Sequence, residues 1–417
     1  MTNLAFFCYV GEVTRTCRYR LNPSRVQAAT LFSWLHLTRE FYNAALEERE
    51  QAWERQHHSV SLFDQQAQVS VVRAERGDLA KIPVVVLRGA LRRADLAYQA
   101  FYRRCKSGQK PGHPRYKSTK RWRTLEFYET LAKSPIVAGR KRLVVRLLGK
   151  VKLNYHRLLE GRPRSMKFTL SSDGHWYVTI TCDSVESRLL PKTKRTVGID
   201  LGLTHFAATS DGELFENPRP LRQARLGLER AQRRVSRRRR GSRRKCRAVQ
   251  LLGKRHVHVV NVRREHHITV VKKLVTNYDV IFKENLNVHG LAKSNLAKSV
   301  HDVAWSNFNH WLTCKAEEAG REIVEVDPRG TSITCSHCGT VDVTSRDGKV
   351  FCCAHCIFVG DADVNAAINI KRLGTSLRGA ATPVRVRQRS AKSASTCGPG
   401  HARLARGQTP TRGLSSG

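Results

Sequence analysis

Along TCRYRLN (16–22) apolar and polar residues alternate, as in a strand, and Pro23 ends the run. The period then lengthens. From Val26 through Leu31, Leu35 and Tyr42 to Ala45 the apolar positions recur at helical spacing and run out into the charged LEEREQAWER. In VLRGALRRADLAYQAFYRRCK, Leu87, Leu91, Ala94, Tyr98, Phe101 and Tyr102 mark one helix face, with Arg88, Arg92, Arg103 and Arg104 around it. That apolar stripe is what any amphipathic core helix needs, and only the surplus of arginine suggests contact with phosphate. The Gly/Pro-rich SGQKPGHPRYK (107–117) breaks the pattern, and LEFYE, KRLVVRLL, SMKFTL and HWYVTITCD return to alternation, predicting an all-β segment from about 124 to 183.

After Pro191 two further strand-like runs, in TVGIDLGLTHFAATSDGELF, precede a long polar helical region from about 219 to 277. The strand DVIFKENL, the helix WSNFNHWLTCKAEEAG, the strand REIVEVD, a cysteine cluster and the helix VNAAINIKRL follow. From 375 to 417 periodicity and acidic residues vanish, so this stretch is expected to be a basic disordered tail.

Charge narrows the possible partners. The chain carries 75 Lys and Arg against 34 Asp and Glu, a net +41 over 417 residues, alongside 40% apolar content. Such an excess in a foldable sequence points to a polyanion, nucleic acid before a membrane surface. No run of about 18 apolar residues is present, and MTNLAFFCYVGEVTR lacks the features of a secretory signal. The expected compartment is the cytoplasm, a prokaryotic cytosol in association with the nucleoid. The densest charge lies in RRVSRRRRGSRRKCR, where Arg237, Arg238, Arg239, Arg240, Arg243, Arg244 and Lys245 would repel one another strongly without phosphate partners.

Of the 12 cysteines, five fall between 335 and 356. Cys335-x2-Cys338 and Cys353-x2-Cys356 have the spacing of a four-thiolate zinc ribbon, joined by a hairpin whose turn is placed at SRDG. Cys352 is surplus, and Cys353 is preferred because it restores the two-residue spacing.

Three acidic positions complete the candidate chemistry. Asp200 stands in the apolar run TVGIDLGLT, where a buried carboxylate needs a cation, a donor or water; it could equally end a strand. Glu284 follows the apolar VIF and could be a solvated strand-end acid. Asp361 and Asp363 open the last helix, where either could be a cap. Taken together, in the order strand Asp, strand-end Glu, helix-start Asp, they form an oxygen-only ligand set for two Mg²⁺ ions and phosphodiester hydrolysis.

The succession GIDLG, basic helical region, ENLNVHGL, AWSNF, KAEEAGREIVEVDPRGTSITCSHCG, CAHC and DADVNAAINI resembles the TnpB family, the OrfB-type transposon-encoded relatives of type V CRISPR effectors. RYRLNPS and FYNAALEEREQAW also resemble that family, so the likeness extends to about residue 374. It implies a multidomain α/β protein: a ribonuclease H-like (RuvC) nuclease domain with an inserted zinc ribbon, preceded by a β-barrel-like wedge domain interrupted by a helical recognition domain. The implied boundaries are wedge 1–23 and 121–190, recognition 24–120, nuclease 191–330 and 361–374, and ribbon 331–360. The implied catalytic and Mg²⁺-binding residues are Asp200, Glu284 and Asp363, with one structural Zn²⁺ on Cys335, Cys338, Cys353 and Cys356.

The implied activity is RNA-guided cleavage of double-stranded DNA beside a short motif. A transposon-derived guide RNA is the expected partner, bound by a monomer or weak dimer. A nuclease-inactive RNA-guided binder and a guide-independent nuclease or transposase are the alternatives. Family members commonly have Asp where this chain has Asn285, and Gly where it has Ile357.

Overall fold

The fold is given by a computed structural model that describes residues 12–127, 136–137, 141–286 and 297–380. The chain divides into two compact units, Met1–Gly374 and Thr375–Gly417.

Its N-terminal part is built on a seven-stranded antiparallel sheet of β1 (Glu12–Asn22), β2 (Thr124–Phe127), β3 (Ile136–Val137), β4 (Arg142–Val145), β5 (Gly149–Leu153), β6 (Arg162–Leu170) and β7 (Trp176–Glu186). The spatial order is β2-β6-β7-β1-β5-β4-β3, so the first strand lies inside the sheet. Alternation decides what faces inward: Cys17, Tyr19 and Leu21 of β1 and Trp176, Val178, Ile180 and Cys182 of β7 are buried. Between β1 and β2 the chain forms α1 (Arg25–Gln56), α2 (Leu62–Ala67), α3 (Val69–Glu75), α4 (Gly77–Ala80) and α5 (Val84–Lys106). Ser24 starts α1 through a reciprocal capping box with Gln27.

Helices and sheet share one core, in which Trp34, Tyr42 and Leu87 join Tyr19 and Phe168, so the apolar packing runs on across positions 23/24 and 120/121. Two sequence assignments shift. Val26 is 76% exposed and Tyr102 is 51% exposed, because the covered faces of α1 and α5 run from Leu31 to Leu46 and from Val86 to Tyr98.

The second part is a five-stranded sheet of β8 (Thr196–Asp200), β9 (His205–Thr209), β10 (Leu214–Glu216), β11 (Val280–Glu284) and β12 (Glu322–Val326), in the order β10-β9-β8-β11-β12. β8 to β10 form an antiparallel meander, whereas β8, β11 and β12 run parallel. α6 (Pro220–Ser236) and α7 (Arg243–Asn277) connect β10 to β11; α8 (Ala297–Val303) and α9 (Trp305–Ala319) lie between β11 and β12. Every residue of β11 is buried, since both sheet faces are covered. Ile281 packs with Val270, Leu274, Phe308 and Leu312 on one face, and Val280 and Phe282 with Ile370 on the other.

A small three-stranded sheet, β13 (Arg346–Asp347), β14 (Val350–Cys352) and β15 (Val359–Asp361), leads into the last helix, α10 (Ala362–Ala380). The hairpin turn is Gly348-Lys349, with Gly348 at φ +57°, so Arg346 and Asp347 belong to a strand and not to the turn expected at SRDG. Residues 375–380 are helical, contrary to the irregular tail expected from 375. Gly374 keeps helical dihedrals and does not act as a left-handed stop. The rest of the expected tail, 381–417, lies outside the described residues. Among the described residues no helix is long and apolar enough to cross a membrane.

α10 approaches the sheet unusually closely at two glycines. A Cβ on Gly198 of β8 would lie 2.1 Å from the Ala367 carbonyl, and one on Gly374 would lie 2.1 Å from Cδ1 of Phe282. Gly198→Ala is therefore expected to lower stability by about 1–3 kcal/mol through forced displacement of α10, whereas Gly77→Ala, with nothing within 4 Å of its Cβ, should be nearly neutral. Thermal melts of the two variants against the parent check this; equal melting temperatures would refute the close contact.

Candidate active site

β8 and β11 are parallel neighbours with Ile199 opposite Lys283, which brings Asp200 and Glu284, the next residues, side by side at the carboxyl ends of both strands. The glycine contacts seat α10 over the same end, and Asp363 in its first turn completes the group. Charge coupling reports the proximity. Burial pushes Asp200 up to about 7, and the Glu284 and Asp363 carboxylates push it in the same direction. Burial also raises Glu284, which is 9% exposed, against the lowering effects of a Thr331 hydrogen bond and Arg346. A buried strand-end acid raised first by burial and then by two neighbouring carboxylates is a site that cations would relieve.

Three contacts around the acids were not anticipated. Arg346 Nη2 donates to Asp363 Oδ1 at 2.9 Å, and its charge opposes the upward shifts of Asp200 and Glu284. In sequence it looked like a turn residue, and only the pairing of β13 with β14 turns it toward the acids. His205 Nδ1 lies 3.5 Å from Asp363 Oδ2. Thr331 Oγ1 donates to Glu284 Oε1 at 2.5 Å from a loop without any pattern to flag it.

The aspartate pair at the helix start divides its work. Asp361 Oδ1 accepts from the N–H groups of Asp363 (2.9 Å) and Val364 (3.0 Å), a cap that satisfies helix donors. Asp363 faces Arg346, His205 and the strand acids instead.

The sulfurs of Cys335, Cys338, Cys353 and Cys356 all lie within 4.8 Å of one another, a four-cysteine cluster that fits a zinc ribbon. Cys352 is exposed on β14, paired with Val359, and is not part of the cluster. Hydrogen bonding to Thr340 draws the Cys338 thiol down to about 6, toward the thiolate a metal requires. Ile357 is 100% exposed with φ outside the left-handed region, so the turn that commonly holds Gly accepts a side chain aimed at solvent.

The arginine-rich run forms the tip of the α6–α7 hairpin. Arg237 to Arg240, Arg243 and Arg244 are exposed and Lys245 is half-buried. On α5, Arg88 and Arg103 are exposed, while Arg104 donates to the Gly112 carbonyl and Arg92 is half-buried.

The chain is similar to known proteins over most of its length. A family model described as "Probable transposase" matches residues 179–295, "Cas12f1-like, TNB domain" matches 305–370, and an OrfB-associated "Helix-turn-helix domain" matches 13–58. Here 13–58 is β1 followed by one continuous helix, not two helices about a turn. The chain is 30% identical over 393 residues to "Putative RNA-guided DNA endonuclease" of Streptomyces pristinaespiralis, covering 92% of this chain and 94% of that one. It is 31% identical over 140 residues to "TnpB-like protein L79" of Acanthamoeba polyphaga mimivirus, 32% of this chain and 27% of that one. The fold is similar to that in a cryo-EM structure of the Cas12f1–sgRNA–target DNA complex, with TM-score 0.52 and 15% identity over 86% of this chain and 99% of that chain.

Burial of Asp200 gives a stability signature. The folded chain holds this proton up to about 7 while the ordinary value is 3.8, so between those pH values it binds more protons than the unfolded chain. Stability from this group is therefore full at low pH and is lost as pH rises through about 7. Asp200→Asn should melt above the parent in metal-free buffer at pH 8, by about 2–4 kcal/mol, with the gap closing as pH falls toward 4. A gap independent of pH would contradict the assigned burial.

Proposed function

Because the chain belongs to the TnpB-like, OrfB-type family of the named Streptomyces RNA-guided DNA endonuclease, we propose that it too is an RNA-guided DNA endonuclease. The carrying observation is the convergence of Asp200, Glu284 and Asp363, from two strand ends and a helix start, into one mutually repelling group. In this reading residues 191–330 and 361–374 form a ribonuclease H-like, RuvC-type nuclease, 331–360 its zinc ribbon, 1–23 with 121–190 a wedge, and 24–120 a recognition domain.

The three carboxylates would hold two Mg²⁺ ions, which supply an activated water and a stabilised leaving oxygen when bound. Asp200, coupled by charge to both other acids, is the natural shared ligand. Arg346 neutralises part of the group and can meet a phosphate brought to it. The ribbon cysteines would hold Zn²⁺, because thiolates suit zinc and carboxylates suit magnesium. The hairpin tip from Arg237 to Lys245, with Arg88, Arg92, Arg103 and Arg104 on α5, would contact RNA and DNA backbones, leaving sequence to base pairing. A cytoplasmic setting follows from such a substrate.

Protein purified with its bound RNA should cut a matched DNA duplex in Mg²⁺. Asp200→Ala, Glu284→Ala and Asp363→Ala should each lose cleavage by about 100-fold or more with RNA retained. Uncut matched targets, or full activity in Asp200→Ala, would defeat the proposal; cleavage surviving complete RNA removal would favour a guide-independent nuclease. Asp361→Asn should impair cleavage less than Asp363→Asn.

The ribbon is tested by metal content. Cys353→Ser should lose bound zinc and Cys352→Ser should keep it, as read by elemental analysis; the reverse order would move the third ligand by one residue.

A further inference from the structure

We propose that Thr331 is a positioning residue for Glu284, and that the ribbon's first knuckle and the last helix hold it in place. The inference rests on the proposed nuclease reading, which makes Glu284 a metal ligand. Thr331 is 2% exposed and sits in the loop between β12 and Cys335. Its hydroxyl lies 2.5 Å from Glu284 Oε1 and 2.9 Å from the Pro328 carbonyl. One hydroxyl hydrogen serves one acceptor at a time, and the shorter approach to a charged carboxylate is the stronger.

The loop has little freedom to move. The Thr331 carbonyl accepts from Asn369 Nδ2 at 3.0 Å, and the same amide donates to the Thr334 carbonyl at 2.6 Å. Asn365 donates to Thr334 at 2.8 Å and accepts from the Ser336 N–H at 2.8 Å, bracketing Cys335. Both asparagines are buried, at 0% and 3% exposure, and both stand on α10, which carries Asp363. A chain of hydrogen bonds therefore runs from the helix of one proposed ligand, through the knuckle loop, to the carboxylate of another. With Oε1 engaged by Thr331, rotation of the Glu284 carboxylate is fixed and Oε2 is left for a cation.

Hydrogen bonds behind a metal ligand typically set affinity by about 10–100-fold. Thr331→Val, which keeps shape and removes the donor, should weaken Mn²⁺ binding to the RNA-bound protein by about that factor, followed by Mn²⁺ titration in electron paramagnetic resonance without DNA. The Mg²⁺ concentration for half-maximal cleavage should rise in parallel, with bound RNA, bound zinc and DNA affinity at parental values. Thr331→Ser, which keeps the donor, should restore the parental metal dependence. Parental metal affinity in Thr331→Val, or equal damage from Ser and Val, overturns the proposal. If Thr331→Val loses its zinc or its fold, Thr331→Cys decides by the same titration, since a thiol is a weak donor in the hydroxyl's place: weakened Mn²⁺ binding supports the role and parental binding overturns it. Glu284→Gln is the control for the underlying reading: unchanged Mn²⁺ affinity there would reject the nuclease site itself, whereas a normal response there with an unaffected Thr331→Val rejects only this inference.

Discussion

Three carboxylates gathered at the buried end of a sheet repel one another, and much of this architecture is legible as the means of holding them there. Adjacent parallel strands put Asp200 beside Glu284 by register alone. A helix adds Asp363 only because Gly198 and Gly374 let backbone meet backbone and ring at distances no side chain would permit. Any Cβ at Gly198 would move the helix that carries the third acid, so that glycine is as much a part of the site as the acids are. The cost appears at Asp200, which burial first and then the Glu284 and Asp363 carboxylates push up to about 7. Strain of this kind persists where the surroundings over-determine it, here with sheet and helix packing on both faces.

The cysteine-rich excursion is bound into the same arrangement. It leaves the sheet after β12 and returns through β15, whose last residue, Asp361, caps α10. On the way it delivers Arg346 to Asp363 and Thr331 to Glu284. A ribbon of this size has almost no core of its own, Phe351, Phe358 and Ala362 among the cysteines, so a metal is the natural source of its rigidity. Rigidity there bears directly on the acids, through Asn365 and Asn369.

The sequence showed the elements whose cause is local. Alternation exposed β1 and β7, helical spacing exposed α1 and α5, and cysteine spacing singled out the four sulfurs that cluster. The acids stood out because a charge in an apolar run needs an explanation. Arg346, His205 and Thr331 did not, because each acquires its partner through pairing across 17, 158 and 47 positions of chain, and nothing in its neighbourhood marks it. The exposed Val26 and Tyr102 are the same failure in reverse: periodicity tells which residues share a face, but the width of the covering layer comes from elsewhere in the chain. The tail expected from 375 starts later than composition suggested, since α10 continues to Ala380 and packs Gly374 against Phe282 on the way.

The two sheets are bridged by the long helix that also forms one arm of the basic hairpin. α7 is 35 residues long, about 52 Å at the α-helical rise. Near its start, Gly253 lies against the β6–β7 turn, where a Cβ would be 2.0 Å from the Ser172 carbonyl. Near its end, His267 hydrogen-bonds the Val303 carbonyl at 2.9 Å beside Phe206 and Phe308 in the core of the second part. Across the same junction Arg15 of β1 meets Glu318 of α9 at 2.5 Å, and Asp279 is clasped by Thr193, Lys194 and Arg321. One continuous helix thus contacts the β6–β7 turn of the first sheet and the core beside the second. The strand that follows α7, β11, ends in Glu284.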